Sequence, residues 1–218
     1  MMDLERYQKR LGVILALLEE VGGTMARTNL MECLYILQSL KRVPLGYRFR
    51  LHVYGPYDGD VIEDLFLARV GGYINMVSEK SGTGYRYIVS LRENIEQEEQ
   101  DESDKEGWAH KYKKEISEVA DFFKNHNAYT SFEKYGTLLF IMRALKEAHA
   151  VTENSNGHNS RYEENIVEYF KNVKGRFAGD DTDKRIEEYY QHLLEAGWLK
   201  EIQPRPNVVE CARQDAQA

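Results

Sequence analysis

Apolar residues return every three or four positions through the first forty residues. Leu4, Tyr7, Leu11, Ile14, Leu15 and Leu18 form one stripe, which predicts a first helix that Gly22 and Gly23 end. Leu30, Cys33, Leu34, Leu37 and Leu40 form a second stripe, with Thr28 or Asn29 as its cap and Glu32 closing a capping box with Asn29. Pro44 and Gly46 break this pattern, and the period then changes to two. Arg48, Arg50 and His52 alternate with Phe49, Leu51 and Val53, the pattern of a short strand with one wet face. Tyr54-Gly55-Pro56-Tyr57 reads as a turn, and Asp58 or Asp60 caps a third helix whose inner face is Val61, Ile62, Leu65 and Ala68. Gly71 and Gly72 stop that helix. Tyr73 to Val77 and Tyr85 to Leu91 then read as a hairpin around Ser81-Gly82-Thr83-Gly84.

The order helix, helix, strand, helix, strand, strand over residues 1–92 predicts a winged-helix-like domain. Residues 93–106 hold eight acids and one lysine and read as an acidic linker. Residues 107–202 carry further helical stripes: Tyr112, Ile116, Val119 and Phe123; then Phe132 to Leu145; then Tyr162 to Val173. A last helix, capped by Asp181 or Thr182, carries Ile186, Tyr189, Leu193 and Leu194, with a strand expected from Trp198 to Ile202. Leu193-Leu194-Glu195-Ala196-Gly197-Trp198-Leu199 repeats the helix, glycine, aromatic order of Leu67 to Ile74, which suggests a second winged-helix-like domain. Residues 203–218 are polar, with Pro204 and Pro206, and are expected to be disordered. The expected fold is therefore mainly α with small β wings, an α+β chain of two winged-helix-like domains.

Charge and composition narrow the function classes. No window approaches the roughly 18 apolar residues of a membrane span, and no signal peptide is read at the start. Cys33 in an apolar stripe and Cys211 in a polar tail argue against a disulfide framework, so a reducing, cytoplasmic setting is expected. The six histidines are scattered without ligand spacing, and no nucleophile elbow or phosphate loop occurs. No catalytic residue, cofactor site or metal site is read, and the chain is expected not to be an enzyme.

The segment Leu30 to Ile74 combines a leucine-rich helix (Leu34-Tyr35-Ile36-Leu37), the Tyr54-Gly55-Pro56 turn, an acid-capped helix and a Gly71-Gly72-Tyr73-Ile74 close. In this it resembles the YwgA-like proteins and the related Panacea-domain (SocA-like antitoxin) group. That resemblance implies a prokaryotic regulatory protein with a protein partner, since antitoxin members of the group bind a protein toxin. It implies no catalytic residues.

Two binding readings follow. The first is a non-enzymatic protein-interaction module, antitoxin-like, with a protein partner or a homodimer. The alternative is a winged-helix DNA-binding transcriptional regulator, in which Arg48, Arg50, Lys80 and Arg86 would contact phosphates. Two features oppose DNA. Lys41 to Tyr57 separate the second and third helices, against a turn of about three or four residues in a DNA-reading helix-turn-helix. The third helix also carries Asp60, Glu63 and Asp64 against a single Arg69. Tyr85 and Tyr87, and the neighbours Tyr189 and Tyr190, cannot all be buried, so some are expected at a surface or interface.

Overall fold

The computed structural model describes residues 4–52, 55–82, 84–92, 102–126, 132–152 and 183–202. Among them the chain is α+β, with seven α-helices and two small antiparallel sheets. In order these are α1 (Leu4–Glu20), β1 (Thr24–Ala26), α2 (Arg27–Ser39), β2 (Arg50–His52), β3 (Gly55–Tyr57) and α3 (Gly59–Val70). Then follow β4 (Ile74–Ser81), β5 (Gly84–Leu91), α4 (Glu102–Lys111), α5 (Lys113–His126), α6 (Phe132–Thr152) and α7 (Asp183–Glu195). A short 3-10 turn, Trp198–Lys200, closes the described chain.

The chain divides into two compact units, residues 1–136 and 137–218. The division expected at 93–106 is not where the contacts part. Helices α4 and α5 pack against α1, and α5 also packs against α2, all inside the first unit. The reason is apolar: Ile116, Val119, Ala120, Phe122 and Phe123 of α5 are buried. Phe123 meets Phe132 edge-on at 4.9 Å, and Phe122 meets Tyr135 edge-on at 5.2 Å. Ser117 donates to Glu20 at 3.0 Å and Lys41 pairs with Glu118 at 2.8 Å, so polar contacts also tie α5 to the N-terminal helices. Residues 93–101 of the acidic segment lie outside the described residues.

Several expected elements form as the stripes predict. Leu11, Ile14 and Leu18 of α1, and Leu30, Cys33, Leu34 and Leu37 of α2, are buried together with β-sheet residues Met25, Ile74 and Val89. Leu4, the first residue of α1, is exposed. Helix α2 starts earlier than expected. Its N-cap is Ala26, with no side-chain cap, so neither Thr28 nor Asn29 caps it. The cause is β1, a strand that the sequence pattern did not reveal. Thr24, Met25 and Ala26 pair with Ser90, Val89 and Ile88 and feed directly into the helix. The three-stranded sheet therefore has the order β1-β5-β4.

Gly55, Pro56 and Tyr57 form strand β3 rather than a turn, with Leu51 opposite Pro56 and Arg50 opposite Tyr57. A proline is tolerated there because a two-stranded ladder is all edge. Val53 and Tyr54 lie outside the described residues, as do Thr83, residues 153–182 with the expected Tyr162 to Val173 stripe, and residues 203–218.

In the second unit Leu138, Leu139, Met142 and Leu145 of α6 and Ile186, Tyr189 and Leu193 of α7 are buried. The glycine stop is real: Gly197 has φ 73° and Trp198 is buried beyond it, as Gly72 has φ 77° ahead of β4. The echo ends there. Trp198 to Lys200 winds into a 3-10 turn rather than a strand, and Lys146 of α6 donates to the Ile202 carbonyl at 3.0 Å. Leu194, placed inside by the stripe, is exposed.

Glu32 is buried and its carboxylate lies against Gly136 of α6, so closely that a Cβ there would collide with it. Pro56 stands at 3.4 Å from the same point. Glycine in a helix interior ordinarily costs about 1 kcal/mol relative to alanine. Here the close approach reverses that preference: Gly136→Ala is expected to destabilise the protein. In a Glu32→Ala background the same change should become stabilising by up to about 1 kcal/mol. Urea denaturation of the four-member cycle checks the sign of the coupling.

Candidate interaction surfaces

Between α2 and α3 the chain runs extended, and burial alternates from Val43 to Arg50: Val43, Leu45, Tyr47 and Phe49 are in, Pro44, Gly46, Arg48 and Arg50 out. No ladder accompanies residues 43–49. Buried backbone groups need partners: the Val43 N–H donates to the Leu37 carbonyl at 3.0 Å and the Leu45 N–H to the Val43 carbonyl at 2.8 Å, and side chains of other elements serve residues 45–48. Gln38 of α2 donates to the Tyr47 carbonyl and accepts from the Tyr47 N–H, both at 2.8 Å, as a strand neighbour would. Arg10 of α1 donates to the Leu45 carbonyl at 2.7 Å and the Gly46 carbonyl at 3.0 Å. Asp58 accepts from the Arg48 N–H with one oxygen and from the Asp60 N–H at 2.9 Å with the other. Asp58 is thus the N-cap of α3.

The same Arg10 reaches α3. Its Nη1 lies 3.4 Å from Asp64 and 3.5 Å from Asp60, and its guanidinium stacks on the Tyr47 ring at 4.0 Å. Tyr47 donates its hydroxyl to Asp64 at 2.7 Å. Burial, with Asp64 beside it, pushes the Tyr47 phenol well above its usual value, so it remains a donor. Tyr7 is pushed up to about 12 by burial, then by Asp64 and Tyr73. Burial also raises the Asp64 carboxyl, outweighing the hydrogen bond from Tyr47 and the charge of Arg10 that pull it down.

This clamp orients α3. Val61, Asp64, Leu65 and Ala68 face inward. Of the three carboxylates expected to face phosphates, Asp64 is therefore in the core, and Asp60 is drawn toward Arg10. Glu63 faces out. Positions three and four apart share a helix face, so Glu63, Phe66 and Val70 form one outward stripe. Phe66 is 58 % exposed and Val70 69 % exposed. Neither residue was singled out from sequence. The signal was present, because both fall opposite the inward set Val61, Leu65 and Ala68.

The four arginine and lysine candidates separate into two groups. Arg48 and Arg50 are exposed on the extended segment and on β2, in the two-stranded sheet. Lys80 and Arg86 belong to the β4–β5 hairpin of the other sheet. Glu79 stands opposite Arg86 and pairs with it at 3.2 Å. Lys80 stands opposite Tyr85, on the other face. Of the turn motif, Gly55 and Pro56 are buried in β3. Pro56 packs near Gly136.

Cys33 is a free, buried thiol, pushed well up by burial and then by Glu32. Among the described residues no group of three or more His, Cys, Asp or Glu side chains is arranged to hold a metal ion, and no helix is long and apolar enough to cross a membrane. A scan against protein-family models finds no match, and neither does a search of curated proteins.

Two outcomes follow from the clamp. Arg10→Ala leaves two carbonyls and a buried carboxylate without their partner, and is expected to cost about 3–5 kcal/mol in chemical denaturation. Arg10→Lys should recover only part, since an ammonium lacks the planar fork that serves several acceptors at once. The Asp64 contribution has a definite pH sign. A carboxyl raised by folding contributes fully below its unfolded value of about 3.9 and loses that contribution as pH rises through its folded value. The stability of the wild type relative to Asp64→Asn should therefore fall as pH increases from about 4 upward, measured by denaturation midpoints at matched ionic strength.

Proposed function

We propose that the protein is a non-enzymatic regulatory protein that acts by binding a protein partner, in the manner of an antitoxin, through the outward face of α3. The supporting observation is that face itself: Phe66 and Val70 stand exposed beside Glu63, on a helix held by a buried clamp. Exposed large apolar groups on a fixed element are a feature of docking sites. The neighbouring carboxylates call for a partner that presents apolar groups rimmed by basic ones. The order α1, α2, α3, β4, β5 fits a winged-helix-like unit with an extended insertion before α3, and the resemblance of Leu30 to Ile74 to the Panacea-domain group points the same way.

The DNA-regulator reading has less support. A helix that enters the major groove needs donors and cations, whereas α3 offers an acid and two apolar side chains at its outward face. Arg86 is engaged by Glu79.

The test uses the full chain. Affinity capture from the source cells with wild type and with Phe66→Ser/Val70→Ser, followed by mass spectrometry, should show a stoichiometric partner lost in the double variant. Both positions are exposed, so the variant's denaturation midpoint should stay within about 0.5 kcal/mol of wild type. Light scattering of the purified chain separates a foreign partner from a second copy. A partner retained by the double variant would overturn the assignment to α3. In fluorescence anisotropy, a random duplex should bind weakly, and Arg48→Ala/Arg50→Ala should change that little. Micromolar, steeply salt-dependent duplex binding lost in that variant would move the reading to DNA.

A further inference from the structure

The β4–β5 hairpin sorts its side chains by chemistry. Residues directly opposite in an antiparallel pair share a face, and alternate residues along a strand do too. Ser78 is opposite Tyr87 and Lys80 is opposite Tyr85, so these four share one face. Glu79 and Arg86 are opposite each other on the other face, where they neutralise one another at 3.2 Å. Arg27, the first residue of α2, brings a second cation to the first face: its guanidinium lies 4.2 Å from the centre of the Tyr87 ring. Tyr85 is 75 % exposed and Tyr87 41 % exposed. The hairpin places no carboxylate on this face. Its net character is therefore two cations and two tyrosine rings, on a chain whose total charge is −7.

We propose that this face is a stacking platform for single-stranded nucleic acid. Tyr85 and Tyr87 are two residues apart, so their Cα atoms stand about 7 Å apart along the strand. Unpaired bases stack on exposed aromatic rings with little sequence preference, and cations beside the rings meet the phosphates. Lys80 lies at the Tyr85 end and Arg27 at the Tyr87 end, so each ring has a cation beside it. Arg27 has a second role, since a guanidinium plane on a ring extends the stacking surface. A duplex keeps its bases stacked on one another and cannot use the rings in this way. An acidic peptide would use the cations and leave the rings with no specific part. The platform is separate from the outward face of α3, and its failure would leave the protein-partner reading as it stands.

The test is fluorescence anisotropy of the full chain with fluorescein-labelled oligothymidylate, at low and at physiological salt. Wild type should bind the single strand more tightly than a duplex of the same length, with affinity falling as salt rises. Stacking lost at one base corresponds to about a 5- to 150-fold weakening, so Tyr85→Ala and Tyr87→Ala should each weaken binding within that range. Tyr85→Phe should keep most of the affinity, because the ring remains. Lys80→Ala should lower the salt slope by about 0.7. Val77→Ala, on the opposite face, should change neither affinity nor slope. Circular dichroism melts of each variant guard against loss of fold. Three results would overturn the proposal: no binding by wild type at low salt, equal affinity for the duplex, or affinity that survives Tyr85→Ala/Tyr87→Ala. Displacement of the oligonucleotide by polyglutamate with those two variants unaffected would also overturn it, and would mark an acidic protein ligand instead.

Discussion

The Arg10 guanidinium is buried where the extended segment before β2 meets helix α3. It carries a charge that would be costly in the interior alone, and it is held by two carbonyls, two carboxylates and the face of Tyr47. Those partners come from two places: the extended segment before β2, which supplies both carbonyls and the Tyr47 ring, and helix α3. One side chain on α1 therefore sets where the segment runs and how α3 is turned. Without it, the carbonyls of Leu45 and Gly46 would lose their donors, and Asp64 would be a buried acid beside a phenol.

The long connection between α2 and α3 becomes intelligible on the same terms. An extended segment normally satisfies its backbone through a neighbouring strand. Here Gln38 imitates that neighbour at Tyr47, Arg10 serves the two residues before it, and Asp58 takes the N–H after it. Asp58 then caps α3 with its other oxygen. The Asp58 carboxylate thus joins the segment to the helix alongside the Tyr47–Asp64 and Arg10 contacts, and the outward stripe of Glu63, Phe66 and Val70 is presented at a fixed angle. A surface on a held helix loses little entropy on binding, which is what a docking face requires.

How much of this was legible in the sequence depends on the range of the interactions. The stripes of α1, α2 and α3 are local and periodic, and most of their residues are buried, although Leu4 is exposed and Ile62, expected on the inner face of α3, is only half-buried. Strand β1 has three residues, too few to show a period, and its partner β5 lies more than sixty positions away. Arg48 to Val53 alternates as a strand does, and Arg50–His52 of that span form β2; the alternation of burial begins earlier, at Val43, across the Pro44 and Gly46 that read as a break. What replaces the ladder is a set of side chains 9 and 35 to 36 residues distant, which no pattern announces. Asp60, Glu63 and Asp64 look alike as letters. Only their helical phase against Val61, Leu65 and Ala68 separates the buried acid from the exposed one. Likewise Lys80 and Arg86 look alike as wing cations until the register puts them on opposite faces.

The two surfaces are opposite in electrostatic character, and that limits what each can bind. The α3 stripe is apolar with an acid, so a polyanion gains nothing there. The hairpin face is aromatic with cations, so a basic partner is disfavoured there. The overall charge of −7 does not erase this difference. At physiological salt, fields between exposed charges fade within about 8 Å. Local composition therefore decides affinity at each face. On the two proposed readings, a basic apolar partner at α3 and a nucleic-acid strand at the hairpin would be drawn by opposite charges, so neither would compete for the other's site.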